Sequence, residues 1–209
     1  MTKEKRLKKR HNAEKRFRFY GLASIFLALL FVLILVQNIF SKGSSAFMKT
    51  AINVEVFYDP ELLGVKNGAT KDEILEADFF DITIETLLKT FPTNNLDEEN
   101  QLIDLFTTDA ELEIKNALIN NSNLLGKTVS LEITSSDDID QLHKGNYPRD
   151  LPEERRRISN FQLSIYDNFL ENKKIIKNFN NYFFKNGDSR DPEIAGIGGA
   201  LVGSFYSIL

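Results

Sequence analysis

Leu22-Ala23-Ser24-Ile25-Phe26-Leu27-Ala28-Leu29-Leu30-Phe31-Val32-Leu33-Ile34-Leu35-Val36 lies at the centre of a run, Phe19 to Ser41, that contains no charged residue. At about 1.5 Å per helical residue, Phe19 to Phe40 reaches about 33 Å, enough for a hydrocarbon core of about 30 Å. Residues 19–41 therefore read as a transmembrane helix. A cleaved signal peptide would share the basic leader, and Ser44-Ser45-Ala46 offers small residues for cleavage. Its apolar region is ordinarily only about 7–15 residues long, so an uncleaved anchor fits better.

Charge on either side of this run is uneven. Residues 1–18 carry nine basic residues (Lys3, Lys5, Arg6, Lys8, Lys9, Arg10, Lys15, Arg16, Arg18) against Glu4 and Glu14, a charge of +7. The rest of the chain has 17 basic and 28 acidic residues, a charge of −11. Basic flanks stay on the cytoplasmic side, which places residues 1–18 inside and the body outside. A basic tail can also serve nucleic acid, but this one abuts a span and has no aromatic interleaving before Phe17. Anionic membrane lipid is the simpler partner, and no nucleic-acid partner is expected. His11 reads as a solvated residue of this tail.

The 209 residues leave room for one small domain after the span. With no cysteine and only His11 and His143, disulfides, thiol catalysis and a cysteine- or histidine-rich metal site are excluded. Residues 42–193 read as an α+β domain. Ala51-Ile52-Asn53-Val54-Glu55-Val56-Phe57-Tyr58 and Lys127-Thr128-Val129-Ser130-Leu131-Glu132-Ile133-Thr134 alternate as half-buried strands do. Thr70-Lys71-Asp72-Glu73 is a capping-box pattern, and behind it Phe80, Ile84, Leu87, Leu88 and Phe91 recur at helical spacing up to Pro92. A short helix holds Leu102, Ile103 and Phe106. Another begins at Thr108-Asp109-Ala110-Glu111 with Ile114, Ala117 and Leu118 on one face. Asp150-Leu151-Pro152-Glu153 predicts the start of a long helix with Ile158, Phe161, Ile165 and Phe169 buried. Phe179, Tyr182, Phe183 and Phe184 suit a third strand or a packed loop.

A second uncharged run occupies Ile194 to Leu209. It is slightly short of the ~20 residues a span needs, and reads as the start of a second transmembrane helix whose continuation lies beyond Leu209. Ala195, Gly199, Gly203 and Ser207 are four apart, which predicts a helix face of small side chains for packing against another span. A buried soluble helix is the alternative, but four glycines would weaken it in water. Gly187-Asp188-Ser189-Arg190-Asp191-Pro192-Glu193 reads as a turn leading into this helix.

No catalytic, metal or cofactor site can be argued. Gly196-Ile197-Gly198-Gly199-Ala200-Leu201 lacks the third glycine and the preceding strand of a dinucleotide fingerprint. Asp137-Asp138-Ile139-Asp140 lacks the ligand spacing of a calcium loop and reads as a solvated acidic turn. Arg155-Arg156-Arg157 could meet an acidic partner or lipid headgroups, although a charged helix face beside Glu153 and Glu154 is the commoner use. His143 has no evident partner and reads as a surface residue. No carboxylate pair stands out as general acid and base.

Arg16-Phe17-Arg18-Phe19-Tyr20-Gly21-Leu22-Ala23, then Ser136-Asp137-Asp138-Ile139-Asp140 with Lys144-Gly145, then Arg149-Asp150-Leu151-Pro152 recur in a familiar order. Gly187-Asp188-Ser189-Arg190-Asp191-Pro192-Glu193-Ile194-Ala195-Gly196-Ile197 with Gly199-Ala200 and Gly203-Ser204 completes it. Together they resemble the N-terminal part of the PstA-type permease of bacterial phosphate ABC transporters, in the variant with an extra periplasmic domain between its first two spans. The resemblance implies a non-enzymatic subunit of an inner-membrane importer of inorganic phosphate. Its implied partners are a second permease, a separate ATPase and a periplasmic phosphate-binding protein. The coupling loop and later spans of that family have no counterpart in these residues. The other class that suits the sequence is a membrane-anchored periplasmic interaction or envelope-assembly protein.

Overall fold

From Lys3 to Gly43 the chain forms one continuous helix, α1. The computed structural model describes residues 3–66 and 68–208, and side chains of α1 from Arg10 onward except Lys42. Of the basic tail, Met1, Thr2 and the side chains of Lys3, Lys5, Arg6, Lys8 and Lys9 lie outside the described residues, as does Leu209. No proline interrupts residues 3–43, and leucine and alanine favour a helix throughout. The apolar side chains of α1 point in every direction and none is covered: Phe26 is 70% exposed and Leu33 65%. A helix that is apolar all round belongs in a lipid or a protein interior. Among the described residues it is the one helix long and apolar enough to cross a membrane, by which it can act as an anchor or as a signal sequence.

Residues 46–208 make a separate unit, a mixed α+β body on a three-stranded antiparallel sheet. Its elements are β1 (Met48–Phe57), α2 (Lys71–Glu76), α3 (Phe80–Leu88), α4 (Leu96–Ile103), α5 (Ala110–Asn120), β2 (Thr128–Thr134), α6 (Asp137–His143), α7 (Asn160–Glu171), β3 (Ile175–Phe179), α8 (Asn181–Lys185) and α9 (Gly198–Ile208). The sheet order is β2-β1-β3. Val54 pairs with Leu131, Ile52 with Ile133 on one side and with Ile175 on the other. Residues directly opposite share a face, so Ile52, Val54, Val56 and Ile133 form one apolar surface. The helices cover it with Phe79, Ile82, Leu102, Ile114, Leu118, Ile165 and Phe169. Tyr58 closes the end of this core, donating its hydroxyl to the Ile114 carbonyl at 2.7 Å.

Both expected strands and the helix at 110 are present, and the short helix before it holds Leu102 and Ile103 but ends there, so Phe106 lies beyond it and bridges to Ser135 instead. Two expected helices differ. The pattern from Thr70 to Phe91 is broken into α2 and α3, because the Asp78 carboxylate accepts the Phe80 N–H at 2.9 Å and starts a new helix. Phe79 is thereby turned into the core, while Phe80 is 58% exposed. The buried face of α3 is Ile82, Thr83, Thr86 and Leu87. Thr83 can be buried because its hydroxyl donates to the Phe79 carbonyl at 2.8 Å. Secondly, Asp150-Leu151-Pro152-Glu153 gives only a 3-10 turn over Glu153–Arg155, and α7 starts at Asn160 behind a Ser159/Gln162 capping box. Glu153 does not lead a helix; its carboxylate accepts the Asn160 N–H at 2.8 Å. The aromatic stretch divides, with Phe179 ending β3 and Tyr182, Phe183 and Phe184 on α8.

Candidate functional site

Polar groups gather at the end of the sheet where β1 begins and β2 finishes. The side chain of Lys49 donates to Thr134 Oγ1 at 2.7 Å, lies 3.6 Å from Glu113 Oε1 and stands 4.0 Å over the Tyr182 ring. Glu113, from the first turn of α5, accepts the Thr134 N–H at 2.7 Å and the Tyr182 hydroxyl at 2.9 Å. Burial, and then the neighbouring Glu113, push the Tyr182 phenol far above its ordinary range, so it stays a donor. One residue along β1, Asp140 Oδ1 accepts the Thr50 N–H at 2.9 Å and the Thr50 hydroxyl at 2.7 Å, while Oδ2 pairs with Lys144. The two ion pairs are nearly buried, at 17% and 13% exposure for Lys49 and Glu113 and 12% and 11% for Lys144 and Asp140. Buried charges of this kind persist only when paired and hydrogen-bonded. Asp140 is therefore a buried structural carboxylate, not part of a solvated acidic turn.

A cleft of about 340 Å³ opens beside these groups, lined by Lys49, Thr50, Asp140 and Lys144 and by Glu193, Gly196 and Ile197 from the segment entering α9. That segment is tied down rather than loose. Thr108 donates its hydroxyl to Asp191 at 2.8 Å, and Asn186 Nδ2 donates to the Ile194 carbonyl at 2.7 Å. The N–H groups of Gly196, Ile197 and Gly198 donate to the carbonyls of Gly187, Phe183 and Asn186 at 2.8, 2.8 and 2.9 Å. The last carbonyls of a helix need such donors, and here Ile197 and Gly198 supply them to Phe183 of α8 and to its cap residue Asn186. The approach is so close that a Cβ on Gly196 would lie 2.3 Å from the Tyr182 carbonyl oxygen, and one on Gly198 would lie 2.8 Å from that of Lys185.

The four residues expected to form one small-residue face are not all on one helix. Since α9 begins at Gly198, Ala195 precedes it and lines the cleft. Gly199, Gly203 and Ser207 do lie on α9; the Ser207 hydroxyl donates to the Gly203 carbonyl at 2.8 Å. A Cβ on Gly203 would meet nothing within 4 Å, and one on Gly199 only Gly187 Cα at 3.5 Å. In this segment the glycines that leave no room for a side chain are Gly196 and Gly198. The spacing rule missed them because it counts small residues around a helix, not donors to a neighbouring helix end.

Sequence reasoning also missed Lys49, Thr50, Glu113 and Tyr182, which are brought together over long separations. Asp140 of α6 and Lys144 at its cap, four residues apart, carried the one local signal. No group of three or more acidic or histidine side chains converges as metal ligands among the described residues.

His143 is not an isolated surface residue. Its Nδ1 is 2.9 Å from the Tyr166 hydroxyl. Burial, then repulsion from Lys177, lowers its pKa against a raising effect of Asp140. A base whose folded pKa is depressed binds fewer protons folded than unfolded, so its contribution is intact above the unfolded value of about 6.5 and is lost as pH falls below it. Glu193 and Asp109, both raised chiefly by burial, act in the opposite direction. The expected result is that His143→Asn flattens the loss of melting temperature between pH 7.5 and pH 5 relative to the parent. Parallel profiles for the two proteins would show that His143 does not titrate differently on folding.

A protein-family model matches residues 4–153, from α1 through α6 to the turn before α7, and describes a domain of unknown function, DUF3333. No curated protein and no solved structure matches the chain. The matched region spans well over half of the sequence and takes in the apolar helix, β1, β2 and α6 but not Tyr182 or the segment entering α9, and the chain belongs to the DUF3333 family.

Proposed function

We propose that this chain is the N-terminal portion of the membrane permease subunit of an ABC importer for inorganic phosphate. In this reading α1 is the first span, α9 begins the second, and the α+β body between them is periplasmic. The observation that carries it is α9. Every described side chain of this apolar helix is exposed on its own unit, including Leu201 at 57%, Phe205 at 62% and Tyr206 at 73%. A helix of this composition held on a hydrogen-bonded joint calls for lipid or another span around it. Phe179 and Phe184, 53% and 45% exposed and stacked at 5.8 Å, add an apolar edge close to α8. The basic leader and the order of the resembling segments support a transport subunit. ATP hydrolysis is then the work of a separate partner, with a second permease and a periplasmic phosphate-binding protein completing the assembly. Gly199, Gly203 and Ser207 would face a neighbouring span.

Uptake of radiolabelled phosphate at micromolar concentration tests this. Disruption of the gene should reduce uptake at least tenfold, and the intact gene should restore it. Gly203→Leu should restore it poorly and Leu201→Phe well, because only the former fills the small-residue face. Unchanged uptake after disruption would contradict the transport reading and leave a membrane-anchored interaction protein.

A further inference from the structure

Arg155-Arg156-Arg157 takes no part in the polar end of the sheet, and the fold brings these three together with Arg149 around one hollow of about 120 Å³. Leu142, Pro148, Leu151, Ile158 and Leu163 supply its apolar walls, and among the described residues no carboxylate lines it. Two of the four arginines are already neutralised. Arg149 grips both oxygens of Asp167 at 2.6 and 2.7 Å. Arg157 is 3.3 Å from Asp138 and donates to the Tyr147 hydroxyl at 2.8 Å.

The other two are not. Arg155 is exposed and makes no side-chain hydrogen bond or ion pair among the described residues. Arg156 donates through Nη2 to Asn160 alone, and its Nε and Nη1 are buried without an acceptor. Buried donors on a charged group are rarely left unpaired, so the Arg156 side chain gains by turning outward to a carboxylate at the rim of the hollow, which satisfies its forked guanidinium. The hollow is also smaller than the roughly 300–1,000 Å³ of ordinary small-molecule sites. It suits one large apolar side chain, the way a protein interface anchors a central residue, and its volume is too small for an acyl chain.

We propose that this hollow is a docking site for a partner protein, taking one apolar side chain flanked by carboxylates that pair with Arg155 and Arg156. The reading is independent of any role in phosphate transport. The probe is a fluorescent pentapeptide with four glutamates around a central leucine, titrated against the full chain in nonionic detergent micelles. It should bind. A peptide with central serine, and the leucine peptide against Arg155→Glu, should each bind at least tenfold more weakly, with the melting temperature of Arg155→Glu unchanged. Arg156→Gln should weaken binding too, but the decision rests on Arg155→Glu should that second variant fail to fold. No binding at millimolar peptide overturns the proposal. Equal binding of the serine peptide also overturns it, since charge alone then accounts for the contact. So does Arg155-dependent binding of phosphatidylglycerol added to the micelles without binding of the leucine peptide, which would assign the site to lipid.

Discussion

Gly196→Ala is expected to weaken the joint between α8 and α9 by about 3 kcal/mol, whereas Gly203→Ala should change it by less than about 0.5 kcal/mol. The new methyl at position 196 would stand 2.3 Å from the Tyr182 carbonyl oxygen, 2.7 Å from that of Asn186 and 3.0 Å from that of Phe183. All three are backbone atoms, so no flexible side chain can yield. Relief requires the segment to lift away, which breaks the bonds from the N–H groups of Gly196, Ile197 and Gly198. Position 203 has open space around it. Amide hydrogen exchange on the full chain in micelles reads the difference. The three joint amides should exchange roughly a hundredfold faster in Gly196→Ala, since each 1.4 kcal/mol is about tenfold. Equal protection in both variants would mean that the close approach at Gly196 does not hold the joint.

Asp140→Ala should destabilise residues 46–208 by about 3–5 kcal/mol, the usual cost of removing one partner from a buried ion pair. It strands Lys144 and leaves the N–H and hydroxyl of Thr50 without their acceptor. Lys144→Met should cost less, because Thr50 still satisfies one oxygen of Asp140. Combining the two should cost clearly less than their sum, as a shared interaction can be lost only once. With no tryptophan in the chain, near-ultraviolet circular dichroism reports mainly on ordered tyrosines, and Tyr58 and Tyr166 are buried in this unit whereas Tyr20 of α1 is exposed. Additive losses would show that the pair is not coupled.

What sequence could reveal depended on whether the deciding interaction was local. The uncharged run from Phe19 to Ser41 needs nothing but its own length, and it is a helix. The alternation at Ile52, Val54 and Val56 and at Val129, Leu131 and Ile133 gave both long strands, since a half-buried strand writes its two faces directly into its composition. The capping box at Thr70 was legible for the same reason, and so was the one at Ser159, which was overlooked beside the more conspicuous Pro152. Thr83 and Thr86 misled the reading of α3, because a threonine that bonds to its own helix can be buried like an apolar residue. The polar end of the sheet was not legible. Lys49, Thr134, Glu113 and Tyr182 are separated by long stretches of chain, and each alone reads as an ordinary surface residue. Gly196 and Gly198 were noticed, but for their composition rather than for the carbonyls of α8 that leave them no room for a side chain.

In the proposed reading the α+β body lies between two membrane segments and faces outward. The chain has no cysteine, so single cysteines can be placed against a silent background. Asn12→Cys, Asn123→Cys and Ser204→Cys, treated with a membrane-impermeant maleimide in spheroplasts, report the tail, the body and α9. On that reading Asn123→Cys should react in intact cells, Asn12→Cys only after lysis, and Ser204→Cys in neither. Labelling of Asn12→Cys from outside with Asn123→Cys protected, or labelling of Ser204→Cys as readily as Asn123→Cys, would contradict it.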